Sequence, residues 1–89
     1  MILFHSTNCI PCKTMEKLVN AVRGDYEPDI IFIDVITNDR ANTRLVRQAG
    51  IRAIPTSFFV TRSGQAKGFM GAMKEGALRA ELASLLESE

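Results

Sequence analysis

No apolar run in this chain is long enough to act as an export signal or a membrane span. The opening run stops at Phe4, and His5, Ser6 and Thr7 follow at once. A secretory signal needs a basic start and a longer apolar core. A protein that begins at Met1 is therefore expected in the cytoplasm, away from membranes. An excess of one charge is also missing. Eleven basic residues face ten acidic ones, for a formal net charge of +1, so the balance calls for neither nucleic acid nor an anionic surface. Arg40, Arg44 and Arg47 recur at helical spacing and read as a solvated helix face rather than a phosphate-binding stripe. Repeats, low-complexity tracts and linkers are absent, and 89 residues fit a single domain, 1–89. With 46% hydrophobic residues, the chain has enough apolar surface to offset the entropy of ordering, which argues against disorder.

Cysteine is scarce too. The two that occur, Cys9 and Cys12, sit three apart. A structural disulfide framework in a short chain links distant segments and uses more cysteines. A loop with two intervening residues constrains the unfolded chain very little. The pair is a poor staple, which leaves redox chemistry, metal chemistry or chance.

What is present reads as alternating strands and helices. Ile2 to His5 is a short apolar run that suits a buried strand. From Pro11 to Val22, the residues Met15, Leu18, Val19 and Val22 recur at spacings of three and four, one face of a helix, with Gly24 as the stop. Ile30 to Val35 is β-branched and nearly all apolar, which predicts a central strand covered on both faces. Thr37, Asn38 and Asp39 offer caps for a helix ending at Ala49–Gly50, with Ala41, Leu45 and Val46 inward. Ser57 to Thr61 is the next strand. A turn at Arg62-Ser63-Gly64 leads to its antiparallel partner, Gln65 to Met70. Gly68 and Gly71 point to an edge or a close approach there. The last helix runs from about Lys74 to Leu86, with Leu78, Leu82, Leu85 and Leu86 inward. Met15, Met70 and Met73 read as packing residues. The first part is a βαβ unit with parallel pairing and a right-handed crossover, and the hairpin adds an antiparallel edge. The expected fold is α/β, in the order β-α-β-α-β-β-α, a four-stranded mixed sheet with helices on both faces.

The chemistry sits in Cys9-Ile10-Pro11-Cys12, between the first strand and the first helix. Free N–H groups and the positive dipole end of a helix favour an anion. A cysteine there ionises more readily, and the thiolate is the nucleophile. Pro11 fits the first turn, where its missing N–H costs nothing. A zinc site can use the same spacing, but one CxxC supplies two of four ligands. His5 is the single histidine, so a metal site would need two chains. About forty residues on, Ile54-Pro55-Thr56 stands directly before a strand. Cis peptide bonds are almost confined to X–Pro. A cis Pro55 would turn the Ile54 backbone outward, to pair with an extended partner.

These segments resemble the thioredoxins and the small glutaredoxin-like redox proteins. Cys9-Ile10-Pro11-Cys12-Lys13 resembles the thioredoxin active-site run, with Ile10 where glycine is usual. Gly50-Ile51-Arg52-Ala53-Ile54-Pro55-Thr56 is similar to the family's cis-proline segment. Phe58-Phe59-Val60 with Arg62-Ser63-Gly64 resembles its hairpin, and Gly71-Ala72 its glycine near the substrate groove. The resemblance spans essentially the whole chain and implies a thioredoxin-like fold in a minimal, glutaredoxin-size form, without the N-terminal strand and helix of full thioredoxins. Asn8 replaces the aromatic residue usual before the first cysteine. The family's buried acid falls on Leu3, and the lysine that often accompanies it on Ile30. Water, His5 or a substrate group then has to move the proton at the second cysteine, or that step slows. His5 itself reads as a strand-end side chain.

The resemblance implies a thiol–disulfide oxidoreductase, a dithiol reductase or electron carrier. Cys9 would be the nucleophile and Cys12 the resolving thiol. Ile10, Pro11, Ile54, Pro55 and Gly71 would contact substrate. No cofactor beyond the Cys9–Cys12 disulfide is implied, and no metal. The partners implied are disulfide-containing proteins and an electron donor of the thioredoxin-reductase type, with a monomer the default for a small carrier. Three alternatives stay open: glutathione-linked exchange of the glutaredoxin type, a non-catalytic binding module, and a metal or cluster carrier bridging two chains.

Overall fold

The computed structural model describes residues 1–88. Its elements are β1 (Ile2–His5), α1 (Ile10–Val22), β2 (Ile33–Ile36), α2 (Thr43–Gln48), β3 (Thr56–Val60), β4 (Ala66–Met70) and α3 (Glu75–Glu87). Short 3-10 turns occupy Arg23–Asp25 and Arg40–Asn42. The strand order is β2-β1-β3-β4. β1 runs parallel to β2 and antiparallel to β3, and β4 closes the hairpin with β3. This is the mixed α/β sheet that the alternation predicts.

Side chains alternate across a strand, and the register sorts them into two layers. Leu3 pairs with Ser57, so Met1, Leu3 and His5 share a face with Ser57 and Phe59. Onto that face pack Met15, Val19 and Val22 of α1 and Leu78 and Leu82 of α3, the main core. The other face carries Phe4, whose ring meets Phe58 edge to face at 5.7 Å. Fully burying one such aliphatic side chain contributes about 1.5–3 kcal/mol.

Four expectations change. The strand expected over Ile30–Val35 begins only at Ile33, and it is an edge strand rather than a central one. Ile30 plugs the core, whereas Ile31 is 74% exposed and Ile33 is also exposed. An apolar run reports the wish to be buried, not the place in the sheet, and β1 takes the centre because both its sides are paired. The second helix is shorter than its caps suggest. Asp39 Oδ1 accepts the Ala41 N–H at 2.9 Å and starts the 3-10 turn, after which α2 makes fewer than two turns. Ala41 and Leu45 lie exposed and Val46 only half-buried. So short a helix carries no full apolar stripe. It is held by its ends instead, through Asn42 Nδ2 to the Ile36 carbonyl at 2.9 Å and Ile51 N–H to the Val46 carbonyl at 3.3 Å. Leu86 is exposed as well, because Leu85 takes the inward position in the last turn. Met70 is 72% exposed and does not pack, unlike Met15 and Met73.

Gly68 is both an edge residue and a close approach. It lies on β4 opposite Phe58, and a Cβ there would come within 2.9 Å of that ring. A ring already held against Phe4 has little room to withdraw. Gly68→Ala is expected to lower stability by about 1–3 kcal/mol, read as an earlier urea midpoint. An unchanged midpoint would show that the Phe58 ring moves freely.

Candidate functional site

α1 begins where β1 ends, and Cys9 is its N-cap, in an extended conformation. The Cys9 sulfur accepts the Cys12 N–H at 3.2 Å, satisfying one of the free donors of the first turn. Pro11 lies in that turn, where no N–H is missed. The helix brings the Cys9 and Cys12 Cα atoms to 5.1 Å, and the two sulfurs form a disulfide. The two halves are unlike. Cys12 is completely buried, and Cys9 is half-open to solvent. Beside it Ile10 is 80% exposed, and Pro11 is exposed too.

A second segment closes on the same sulfur. The Ile54 carbonyl oxygen lies 4.0 Å from Cys9 Sγ. A disulfide sulfur carries no proton, so this is an approach and not a hydrogen bond. The Ile54–Pro55 bond is cis, as is Glu27–Pro28. Pro55 is buried, and its carbonyl accepts the Gly71 N–H at 2.7 Å. Gly71 has φ +90°, with open space where a Cβ would stand. The backbone conformation by itself calls for glycine. Cys9, Ile54, Pro55 and Gly71, far apart in the chain, thus meet at one place, with Ile10 and Pro11 on its rim. A third loop is pinned nearby: Asn38 Nδ2 donates to Thr7 Oγ1 at 2.7 Å, and the Thr7 N–H to Asn38 Oδ1 at 3.4 Å.

His5 is the strand-end side chain of β1, and it is buried. Its Nδ1 lies 3.9 Å from Glu16 on α1, and its Nε2 3.2 Å from Asp34 on β2. The latter distance is within ion-pair reach, yet the angle misses a hydrogen bond and Nε2 is left without one. Glu16 follows Cys12 by one helical turn, so His5 belongs to the layer beneath the cysteines. Leu3 is buried in the same row, among apolar neighbours.

Two features escaped the sequence. Met70 is exposed and pairs with Thr56, next to Pro55; its place before Gly71 was the only signal. The Asn38–Thr7 link joins two loops, and no spacing rule reports it. A groove of about 900 Å³ lies elsewhere, at the opposite end of β1, among Met1, Ile2, Ile31, Val60 and Leu86. Disulfide exchange needs an accessible sulfur, not an enclosure, so that groove does not compete as the site of chemistry. Among the described residues no three potential ligands gather for a metal ion, and no helix is long and apolar enough to cross a membrane.

Comparisons with known proteins agree with this geometry. The family model described as Thioredoxin matches residues 1–84. A thioredoxin of Porphyra purpurea is 27% identical over 82 residues, covering 92% of this chain and 75% of that protein. Among solved structures, the germline-specific thioredoxin Deadhead of Drosophila melanogaster superposes with a TM-score of 0.81 at 26% identity, over 94% of this chain and 77% of that one. The Malassezia sympodialis thioredoxin gives 0.74 at 27% identity, over 96% and 72%.

Proposed function

This chain belongs to the thioredoxin family and is a thiol–disulfide oxidoreductase, and from that premise we propose that it reduces protein disulfides with Cys9 as nucleophile and Cys12 as resolving thiol. The single supporting observation is the asymmetry of the pair: Cys9 is half-open at the helix start, and Cys12 is sealed behind it. In the reduced protein the Cys9 thiolate attacks one sulfur of a substrate disulfide. The substrate S–S bond breaks, a mixed disulfide forms, and one substrate thiolate leaves. The Cys12 thiolate then attacks Cys9 and releases the second substrate thiolate. Two electrons pass to the substrate, and the Cys9–Cys12 disulfide remains. Ile54 and Pro55 receive an extended substrate strand, Ile10, Pro11 and Gly71 line its path, and Met70 joins them. A flavin- or iron–sulfur-dependent reductase returns the pair to the dithiol, with no bound cofactor. Such turnover suits a compartment that keeps thiols reduced, the cytoplasm among them.

A redox titration against a dithiol couple tests the proposal. It should show one reversible two-electron transition, with recharging by a thioredoxin-type reductase and not by glutathione. Recharging by glutathione alone would move the protein to the glutaredoxin reading. The helix start is tested separately. The alkylation rate of the reduced protein should titrate below the ~8.5 of a free thiol, with Cys9 labelled before Cys12. A midpoint at or above that value removes the helix-terminus effect.

A further inference from the structure

The segment from Asn38 to Ile54 holds four arginines, Arg40, Arg44, Arg47 and Arg52, against one acid, Asp39. All four arginines are exposed. Asp39 is engaged as the cap of the 3-10 turn. Among the described residues, none of the four reaches a carboxylate at ion-pair distance. The arginine and lysine ion pairs that do form join Arg23 to Glu27, Lys67 to Glu81, and Arg79 to Asp25 and Glu75. Lys17, Arg62 and Lys74 also lack such a partner, but each stands on a different element. The four arginines share one short stretch of backbone.

That stretch is tied to the cysteine site at both ends. At its start, Asn38 is bonded to Thr7, two residues before Cys9. At its end, Arg52 stands two residues before Ile54, whose carbonyl is 4.0 Å from Cys9 Sγ. Between these anchors the 3-10 turn and α2 span roughly 15 Å. Exposed charges more than about 8 Å apart are largely screened at physiological salt, so each arginine acts on a carboxylate that comes directly beside it. Lys13, exposed just after Cys12, adds a fifth cation on the helix side.

We infer that this arginine face is the docking surface for protein substrates that carry aspartate or glutamate beside their reducible disulfide. The inference rests on the reading of Cys9 as the attacking thiolate and names the substrate class that reaches it. A guanidinium presents a planar fork to a carboxylate, and unpaired exposed cations are free to do so. Charge of this kind acts mainly through the association rate and weakens with salt. A nucleic-acid partner fits less well. The chain as a whole carries only +1, and no aromatic residue occurs from Asn38 to Ile54 on which a base could stack.

The test compares three peptides that share one disulfide and differ in their flanks: glutamates, lysines or neutral residues. The wild type should reduce the acidic peptide on the order of ten times faster than the basic one at low salt, and the gap should close in 0.5 M salt, about a 4–5 Å screening length. Arg40→Glu/Arg44→Glu/Arg47→Glu should reverse the preference, and Arg40→Gln/Arg44→Gln/Arg47→Gln should abolish it. The neutral peptide should be reduced within about twofold of wild type in both, which also verifies folding. Equal rates for acidic and basic peptides in the wild type, or a preference that ignores salt, overturn the inference while leaving the reductase reading intact. No reduction of the neutral peptide overturns that reading instead. An oligonucleotide that binds and inhibits reduction of the neutral peptide would reassign the face to nucleic acid and overturn the inference.

Discussion

Cys9→Ser is expected to reduce disulfides no faster than a buffer blank, whereas Cys12→Ser is expected to react once and stop. The difference follows from burial. Cys9 is the half-open sulfur, and its thiolate form gains the Cys12 N–H and the helix start. A serine hydroxyl at that place stays protonated near neutral pH and attacks nothing. Cys12 is sealed inside the first turn, so a protein substrate cannot reach it, and its thiol acts only on Cys9. In Cys12→Ser the mixed disulfide has no internal attacker and accumulates. Mass spectrometry of a reaction with a defined peptide disulfide reads both results: one added peptide chain on Cys12→Ser, none on Cys9→Ser. If the adduct were to form on Cys9→Ser, through Cys12, the assignment of roles would be reversed.

The cysteine motif was legible because its physics is local. A strand, a CxPC run and a stripe at Met15, Val19 and Val22 are neighbours in sequence, and a helix start is set by the few residues around it. The alternation of strands and helices was legible for the same reason, since each element carries its own period. What could not be read is where elements end up relative to one another. The apolar Ile31 and Ile33 resemble the filling of a central strand, and only the pairing of β1 on both sides shows that β2 is left at the edge. Leu45 has the spacing of an inward residue, but α2 is too short for spacing to decide its facing.

The site divides along the same line. Cys9 and Cys12 come from one turn of helix, and sequence names them. The approach of Ile54 to Cys9 and the Gly71 bond to Pro55 span 45 and 16 residues of chain; the X–Pro chemistry marked Ile54 and Pro55 in the sequence, but not that they meet Cys9. Met70, Asn38 and the carboxylates around His5 belong to no motif, and they emerged only with the fold. Gly71 is the instructive residue. Its φ of +90° accounts for the glycine by backbone geometry alone, independently of the substrate path it lines.

Met15→Ala is expected to cost about 2–5 kcal/mol of stability, the largest loss from a single side chain near the site. Met15 is completely buried, one turn beyond Cys12 on the inner face of α1, and packs with Leu3, Phe59, Leu78 and Leu82. Small domains have about 5–15 kcal/mol in total, so the loss is a large fraction of what holds the fold. Met15→Leu nearly conserves volume and should cost under about 1.5 kcal/mol. The contrast separates a cavity from a chemical need for sulfur. Met15 Sδ also accepts the Met73 N–H at 3.4 Å, and Met73 follows the Gly71 that binds the Pro55 carbonyl. A cavity at Met15 should therefore loosen the Pro55 side of the site, raising KM for a peptide disulfide more than it lowers kcat. Urea unfolding reads the first effect as an earlier midpoint at unchanged slope, and steady-state kinetics on the folded fraction reads the second. Were Met15→Leu to lose as much stability as Met15→Ala, the thioether contact, and not packing, would be what joins the core to the redox site.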